Sequence, residues 1–552
     1  MTRLDHVDDY PEIPVSLAST ATALKTGAWR SVRPVLTERT APCSQGCPAG
    51  VAIPAYLHLI TAGRLEEAFS LFRQRNPFPA ITGRVCPHAC QEVCNLAVTT
   101  DDGPVSIRSI ERWLGDATAH LPHPIPDEGT GKRVAVVGSG PGGLSAAYYL
   151  RRTGHEVTVF ERRNDLGGML RHAIPGYRLP AAVVDSELAR LRAMGIDFRT
   201  GVALGEDVSL DELAADHAAV FVATGAGVER SLGIPGEHLV HPGLAFLEAV
   251  AAGATATPGR RCAVIGGGNT AMDVARVLRR LGAEVTVIYR RTAEEMPAIA
   301  EEYERAIADG VRFAWLSVSR SIGQGADGLV VEVEQMKLGE SDSSGRPRPE
   351  PTGRVRPQVF DGVFAAIGET ADSTPFPDRL LDAEGWLASG PDGATEDAAV
   401  HAGGDLVTGP ATVVAAIAAG RRAARAIDRM LGFADRWPED QTDATVPPDE
   451  VNPIRRVRRP AAVDPESAFR IALSEETVTL AAAAVLEEIE RCLSCGHCNE
   501  CGTCFAFCPD GAIAWDHGPV IDLDFCKGCG ICVTECPGRT MVLVNERDLV
   551  NA

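Results

Sequence analysis

The chain has 552 residues, of which 45% are hydrophobic, and a formal net charge of -21 at pH 7. A chain of this length exceeds a single ordinary core and is expected to divide into several domains. The acidic balance argues against a nucleic-acid partner, which needs clustered Lys and Arg, and the absence of any run of 18 or more apolar residues argues against a membrane protein.

The N-terminal sequence and the distribution of cysteines favour a reducing, cytoplasmic location. The first residues, MTRLDHVDDYPEIPV, lack the apolar core of a signal peptide. Ten of the 16 cysteines lie between Cys492 and Cys536 and five between Cys43 and Cys94, while Cys262 stands alone in an apolar strand. Closely spaced cysteines in a reducing compartment are typical of metal or iron-sulfur ligation rather than disulfides.

Residues 1–125 are predicted to form a small helical iron-sulfur domain. The segment AYLHLITAGRLEEAFSLFRQ has the apolar spacing of amphipathic helices. The cysteines of this region lie on both sides of that segment, at Cys43, Cys47, Cys86, Cys90 and Cys94.

The next region, residues 126–250, begins with the pattern of a βαβ dinucleotide-binding unit. An apolar strand is followed by the turn GSGPGG, a helix and a second strand that ends in Glu161. Glycines in such a turn let a pyrophosphate approach the helix N-terminus, and the carboxylate can accept hydrogen bonds from ribose hydroxyls. The residues predicted to contact this nucleotide are Gly138, Gly140, Gly143, Glu161 and Gly168, with Gly404 and Asp405 from a later segment.

Residues 251–362 repeat the same pattern and are predicted to bind NADPH. The second turn supplies Gly266, Gly268, Asn269 and Thr270, and the strand after it ends in Arg290 and Arg291 without an acidic residue. Two guanidinium groups can bind the 2′-phosphate of NADP, which a carboxylate would repel. The alternative is that the two arginines are only solvated, which would remove the preference for NADPH but not the site.

Three segments connect these units. The runs AAVFVATGAG and DGVFAAIGET are predicted to be parallel strands at a sheet edge, and residues 363–432 are expected to complete the first nucleotide domain. The segment GESDSSGRPRPEPTGRVRP is predicted to be an exposed loop. Residues 433–490 are predicted to be a proline-rich, acidic linker followed by a helix.

The tail, residues 491–552, has the spacing of a bacterial ferredoxin with two 4Fe-4S clusters. In that arrangement the fourth cysteine of each run binds the other cluster. The first predicted ligand set is Cys498, Cys501, Cys504 and Cys536, and the second is Cys508, Cys526, Cys529 and Cys532. Zinc would require isolated four-ligand sets, which the paired C-x3-C-P endings do not provide. Cys492 and Cys495 extend the run, either as a shifted register, as a separate small site or as free thiols.

Together these motifs resemble the small, or beta, chain of NADPH-dependent glutamate synthase, extended by a ferredoxin domain; the N-terminal half of dihydropyrimidine dehydrogenase looks similar. The resemblance is carried by APCSQGCPAGVAIPAYLHL, ITGRVCPHAC, PVSIRSIE, VVGSGPGGLSAA, VIGGGNTAMDVA, YRRTAEEMPA and GGDLVTGPATVVAAI. It implies an α/β fold of two Rossmann-like domains, with the NADPH domain inserted in the FAD domain, between a helical iron-sulfur domain and a ferredoxin-like α+β domain. It also implies that Gly404, Asp405 and Thr412 contribute to FAD binding.

The chain departs from this family ahead of Cys43. The family places two more cysteines where this sequence has Val35 and Glu38, so the five remaining thiols suffice for one 4Fe-4S cluster. The resemblance implies that Cys47, Cys86 and Cys90 hold that cluster together with the Glu111 carboxylate. Alternatives replace Glu111 by Cys94 or Cys43, or treat all five cysteines as structural thiols.

The expected function is electron transfer between NADP(H) and iron-sulfur clusters through FAD. NADPH gives a hydride and a cluster accepts one electron, so a flavin is needed to convert between them. No side chain is required as acid, base or nucleophile, and no catalytic residue is predicted. The expected partner is a ferredoxin or a redox subunit such as a 2-oxoacid:ferredoxin oxidoreductase; the alternatives are a glutamate synthase beta chain that serves a separate amidotransferase, and a redox sensor or scaffold.

Overall fold

A computed structural model describes residues 25–257, 259–341, 345–433, 436–438, 445–451, 474–516 and 518–549. Much of the predicted linker, residues 433–490, lies outside these ranges. The fold class predicted from the sequence is confirmed: two parallel α/β sheets lie between a helical region and a small cysteine-rich region.

The N-terminal region consists of one strand and a series of short helices around a common apolar core. Tyr56, Leu57, Phe69 and Phe72 are buried in that core, as the apolar spacing of the segment predicts. The elements are β1 (Val32–Leu36), α1 (Pro42–Gly46), α2 (Ile53–Thr61), α3 (Leu65–Phe72), α4 (Pro79–Val85), α5 (Ala89–Glu92), α6 (Asn95–Thr99) and α7 (Ile107–Ala117).

The first nucleotide domain is built on a five-stranded parallel sheet. Its strands alternate with helices, and its last strand and helix come from a segment far along the chain. The elements before the insertion are β2 (Arg133–Val137), α8 (Pro141–Arg152), β3 (Glu156–Glu161), α9 (Met169–His172), α10 (Ala181–Ala193), β4 (Asp197–Thr200), α11 (Leu210–Asp216), β5 (Ala219–Val222) and β6 (Val228–Glu229).

The second nucleotide domain is inserted after β6 and has its own five-stranded parallel sheet and a three-stranded antiparallel sheet. Its elements are β7 (His241–Pro242), α12 (Gly243–Ala251), β8 (Arg261–Ile265), α13 (Asn269–Arg280), β9 (Glu284–Ile288), α14 (Ala300–Ala308), β10 (Arg312–Ala314), β11 (Ser317–Gly325), β12 (Gly328–Ser341), β13 (Pro347–Phe360) and β14 (Gly362–Ala365). The chain then returns to the first domain through β15 (Glu369–Thr370), β16 (Val400–Ala402), α15 (Asp405–Thr408) and α16 (Val413–Met430).

The order of the strands explains how the insertion is accommodated. The first sheet has the order β16-β5-β2-β3-β4 and the inserted sheet the order β10-β9-β8-β14-β7. β6 and β15 pair with each other in antiparallel fashion where the chain leaves and re-enters the first domain. The strands predicted in AAVFVATGAG and DGVFAAIGET are β5 and β14; both are parallel, but each has a neighbour on both sides, so their placement at a sheet edge was wrong.

The loop predicted over residues 339–357 was also wrong for most of its length. Residues from Pro347 onward form β13, which pairs with β12 and has no second neighbour in its sheet. An edge strand tolerates prolines because one side of its backbone makes no ladder hydrogen bonds. The prolines therefore mark an edge strand here rather than a loop.

The C-terminal region packs onto the N-terminal region. Its elements are α17 (Ala482–Ile489), α18 (Thr503–Ala506), β17 (Ile513–Trp515), β18 (Pro519–Ile521), α19 (Ile531–Glu535), β19 (Met541–Asn545) and α20 (Glu546–Leu549). β19 pairs in antiparallel fashion with β1, with Leu36 opposite Met541 and Val32 opposite Asn545. The two cysteine-rich ends of the chain are thus joined by a shared sheet.

Candidate functional site: a nucleotide cleft and its cysteine clusters

The carboxyl ends of the parallel strands in the first domain open onto a cleft. This is the edge at which open α/β sheets bind ligands. Most of the residues predicted for the first nucleotide line it: Gly138, Gly140, Glu161, Gly168, Gly404, Asp405 and Thr412.

The glycines of the first turn serve two purposes: they keep the turn compact and leave it open to phosphates. Gly138 has a φ of 101°, which favours glycine. A Cβ on Gly143 would lie 1.9 Å from the carbonyl oxygen of Gly138, so Gly143 allows helix α8 to pack against the turn and does not itself line the cleft. Gly140 has no neighbour within 4 Å of its Cβ position, so the N-terminus of α8 stays open to an anion.

Glu161 is held at the end of β3 by the first glycine turn. Its Oε2 accepts hydrogen bonds from the backbone N of Ser139 at 3.0 Å and from Ser139 Oγ at 2.6 Å. Its Oε1 accepts from the backbone N of Arg163 at 2.9 Å. The carboxylate is therefore fixed beside the phosphate turn, where ribose hydroxyls would be bound.

Asp405 and Thr412 also line the cleft. Asp405 Oδ1 accepts a hydrogen bond from the backbone N of Ala411 at 3.2 Å, and burial raises the pKa of this carboxyl to about 6. Thr412 caps helix α16 by accepting from the backbone N of Ala415 at 3.2 Å. The N-terminus of this long helix adds a second set of anion-binding amides to the cleft.

The residues directly after the second glycine turn line the same cleft, whereas Gly266 and Gly268 are not among its lining residues. Gly266 has a φ of 141°, and a Cβ there would lie 2.0 Å from the carbonyl oxygen of Ala366. Gly268 precedes helix α13 with open space at its Cβ position. Asn269 and Thr270 line the cleft, and Thr270 Oγ1 donates to Glu369 Oε1 at 3.1 Å.

The two arginines predicted to bind the 2′-phosphate differ in exposure. Arg290 is exposed, whereas Arg291 is buried and its Nε donates to the carbonyl oxygen of Pro347 in β13 at 2.8 Å. The contact of Arg291 depends on a strand that the sequence prediction treated as a loop. Arg290 is therefore the member of the pair that is accessible to a phosphate.

Val85 and Pro87 line the cleft and were not predicted as site residues. They flank Cys86 directly in the chain. The first cysteine group thus adjoins the nucleotide cleft. The motif GRVCPHAC marks Cys86 as a candidate cluster ligand, but it carries no separate sequence signal for a cleft.

The structure brings Cys47, Cys86, Cys90 and Glu111 together. Glu111 is close enough to raise the pKa of each of these thiols, after the larger effect of burial. Burial raises the pKa of Glu111 itself to about 7, although Thr82 Oγ1 donates a hydrogen bond to it. Burial favours the neutral forms of these four groups, so their thiolate and carboxylate forms would need the positive charge of a bound iron centre.

The ferredoxin cysteines line two separate cavities. One cavity is lined by Cys498, Cys501, Cys504 and Cys536, together with Leu36 of β1. The other is lined by Cys508, Cys526, Cys529 and Cys532, together with Pro34 of β1. Each cavity thus collects one predicted ligand set, including the cysteine contributed by the other run.

The cysteine groups do not have the geometry of single-ion sites. Within the part of the chain that the structure describes, no three or more His, Cys, Asp or Glu side chains are arranged as ligands of one metal ion. A zinc ion would require such close tetrahedral ligands.

Among the helices that the structure describes, none is long and apolar enough to cross a bilayer.

Three family models match the chain. Pyridine nucleotide-disulphide oxidoreductase matches residues 132–420. Dihydropyrimidine dehydrogenase domain II, 4Fe-4S cluster, matches residues 20–121, and a 4Fe-4S binding domain matches residues 517–538. The two iron-sulfur matches fall on the two cysteine-rich ends.

Curated relatives match about 70% of the chain. The chain is 38% identical over 73% of its length to the NADP(+)-dependent formate dehydrogenase subunit beta of Moorella thermoacetica, and 36% identical over 73% to the NADPH-Fe(3+) oxidoreductase subunit beta of Geobacter sulfurreducens. These matches span 62% and 65% of the two relatives. The glutamate synthase [NADPH] small chain of Escherichia coli is 35% identical over 70% of this chain and 88% of its own length. The chain therefore belongs to the pyridine nucleotide-disulphide oxidoreductase family, in a form that carries 4Fe-4S domains at both ends.

Proposed function

We propose that this chain is an NADPH-dependent electron-transfer oxidoreductase that joins NADP(H) to a one-electron redox partner. One observation carries the proposal. A single cleft is lined by the first phosphate turn at Gly140, by Asn269 and Thr270 of the second turn, and by Val85 and Pro87 on either side of Cys86. We infer from this arrangement that two nucleotide sites and a cluster ligand share one space.

The residues of the chain bind and orient, and none needs to exchange a proton with the substrate. Gly138 and Gly140 leave the N-terminus of α8 open to the pyrophosphate of FAD, and Glu161 lies where the ribose is held. Asn269 and Thr270 begin helix α13 at the nicotinamide nucleotide turn. FAD, when bound, would exchange electron pairs with the nicotinamide and single electrons with iron-sulfur centres.

The partner is proposed to be a redox protein or the remaining subunits of a larger complex. Two relatives have subunit names, a formate dehydrogenase beta subunit and an Fe(3+) oxidoreductase beta subunit. Cys529 of the second ferredoxin set is exposed, which suits electron exchange with another protein. A 2-oxoacid:ferredoxin oxidoreductase remains our candidate, and the proposed location is the cytoplasm, where thiols stay reduced.

The proposal is tested by dye reduction with the anoxically reconstituted full chain. NADPH should be oxidised at the rate at which a viologen dye is reduced, and the rate should fall to background after FAD is removed and recover when FAD is added back. NADPH oxidation that does not need FAD would contradict the proposal. A chain that binds NADPH and FAD without any turnover would instead favour a redox sensor or scaffold.

A second candidate is the beta chain of a glutamate synthase. It is favoured by the match that covers 88% of the Escherichia coli small chain. In that case an amidotransferase chain should copurify from the native host under anoxic conditions. Copurification with a different redox subunit, and no amidotransferase, would exclude this candidate.

A further inference from the structure

Cys492 and Cys495 are not part of the ferredoxin sites. Neither residue lines the two cavities formed by the other C-terminal cysteines. Cys495 is instead buried in the apolar core of the N-terminal domain, in the same cluster as Cys94, and Cys43 and Cys492 pack against that cluster. Two cysteines from each end of the chain therefore meet.

The chain just before Cys492 is anchored by two buried charged residues. Helix α17 packs against α2 and α7 of the N-terminal domain. Glu488, which is 1% exposed, accepts a hydrogen bond from the backbone N of Ser106 at 2.7 Å. Arg491, which is 2% exposed, donates to the carbonyl oxygens of Gly103 and Pro104, each at 2.9 Å. These buried charges, hydrogen-bonded to the backbone of the N-terminal domain, fix the position of the following cysteines.

The loop that contains Cys495 reaches the segment where the family carries its two additional cysteines. Gly496 has a φ of 70°, and its carbonyl oxygen accepts a hydrogen bond from the backbone N of Arg39 at 3.0 Å. A Cβ on Gly496 would lie 2.1 Å from the carbonyl oxygen of Arg39. His497 Nδ1 lies 3.5 Å from Glu38 Oε1. The C-terminal Cys-x2-Cys thus lies against the residue that replaces one family cysteine.

The four thiols also have surroundings suited to ligation. Asn95 Nδ2 donates to Cys495 Sγ at 3.5 Å, and the backbone N of Ser494 donates to Cys492 Sγ at 3.4 Å. Hydrogen bonds of this kind to ligand sulfurs orient them and adjust the properties of a metal centre. Cys43 is close enough for its pKa to be raised by Cys492, Cys94 and Cys495, in addition to the larger effect of burial.

We propose that Cys43, Cys94, Cys492 and Cys495 ligate a further 4Fe-4S cluster, with two ligands from each end of the chain. The C-terminal pair takes the place of the ligands that the family pattern puts at Val35 and Glu38. Cys43 also lies near Cys90 of the first group, and Cys495 is three residues from Cys498 of the ferredoxin set. The site therefore connects the group beside the nucleotide cleft with the ferredoxin module. This inference goes beyond the proposed function, since it needs no turnover.

The test is metal analysis of the anoxically reconstituted full chain. With four clusters, the wild-type protein should contain about 16 iron atoms and as many labile sulfides per chain. The double variant Cys492→Ser/Cys495→Ser should contain about 12 iron atoms and keep its FAD. The matched control is Cys262→Ala, which removes a buried cysteine from β8 and should leave the iron content at the wild-type value.

The proposal is overturned if wild-type protein, with all sites filled, contains about 12 iron atoms per chain. It is also overturned if the double variant matches wild type in iron content and in the electron paramagnetic resonance spectrum of the reduced protein. If the double variant does not fold, the wild-type iron count decides the question. Wild-type protein with the full iron count that fails to oxidise NADPH would support the cluster and contradict the proposed function.

Discussion

At the scale of single residues, two glycines of the first turn have different physical roles although they are three positions apart. Gly143 is required by the protein itself, because a Cβ there would meet the Gly138 carbonyl oxygen at 1.9 Å. Gly140 meets no protein atom within 4 Å of its Cβ position but lines the cleft, so its constraint comes from the ligand. The GxGxxG pattern identified both residues and could not separate these roles.

Substituting the two glycines should separate stability from binding. Gly143→Ala should lower the free energy of unfolding of the apo chain by about 1–3 kcal/mol, the usual cost of a forced backbone shift in a packed interior. Gly140→Ala should leave the apo melting temperature unchanged and weaken FAD binding by roughly tenfold or more. Thermal unfolding of apo protein and flavin fluorescence titration measure the two effects. Equal loss of stability in both variants would contradict the different roles given to Gly140 and Gly143.

Arg290 should determine the preference for NADPH. Replacing it by Ala removes a charge-assisted contact to the 2′-phosphate, so KM for NADPH should rise roughly tenfold or more while KM for NADH stays unchanged. Arg291→Ala should instead lower the melting temperature, because its side chain is buried and donates to the Pro347 carbonyl oxygen. Steady-state kinetics with both coenzymes check this. A rise in KM for both coenzymes would mean that Arg290 does not read the phosphate.

Asp405 should make the apo chain less stable at high pH. Its pKa in the fold, about 6, exceeds the unfolded value of about 3.9, so the folded state holds the proton more tightly. Stability from this group is therefore present below about pH 4 and is lost as pH rises through 6. At pH 8 the free energy of unfolding of Asp405→Asn should exceed that of wild type by up to about 2–3 kcal/mol. At pH 4 the two free energies should be equal. Denaturant titrations at both pH values measure the difference in stability between the variant and wild type. The same difference at pH 4 and pH 8 would contradict the raised pKa of Asp405.

At the scale of elements, the short segment 474–480 joins three domains. Glu475 accepts hydrogen bonds from Arg84 Nε at 2.8 Å and Arg112 Nη2 at 2.7 Å in the N-terminal domain. Glu476 accepts from Arg276 Nη2 in the inserted domain at 2.6 Å, and its backbone N donates to the Tyr177 carbonyl oxygen at 2.9 Å. This segment lay in the region predicted as linker and helix, so its role as a connection was not foreseen.

Removing the Glu476 carboxylate should destabilise the whole chain. Glu476 accepts hydrogen bonds from three arginines, Arg276, Arg280 and Arg305. Arg276 keeps Glu302 and Asp309 as partners, so the loss should cost about 1–3 kcal/mol. Glu476→Ala should therefore unfold at a clearly lower denaturant concentration than wild type. Glu67→Ala is the control, because the Glu67 pair with Arg64 is on the surface and its loss should leave the midpoint unchanged. A midpoint for Glu476→Ala equal to that of the control would show that the buried pair does not hold the domains.

At the scale of the whole molecule, the features encoded in short stretches of sequence could be predicted, whereas the long-range contacts could not. The two βαβ units and the ferredoxin run were visible because each is encoded within a short stretch of chain. The pairing of β1 with β19 joins residues more than 500 positions apart, and nothing local in Val32–Leu36 specifies that partner. The surroundings of Cys492 and Cys495 depend on this same joining of the two ends, which is why the sequence left several roles open for them.

Electron flow through this chain depends on a flavin that connects NADPH with iron-sulfur centres. The most direct measurement is an anoxic titration of the FAD-loaded, cluster-reconstituted chain with NADPH, followed by flavin absorbance and by electron paramagnetic resonance. The flavin absorbance should bleach, and signals of reduced 4Fe-4S clusters should appear, as NADPH is added. Bleaching of the flavin without any cluster signal, even with excess NADPH and a strong trap for NADP+, would contradict this role of the flavin.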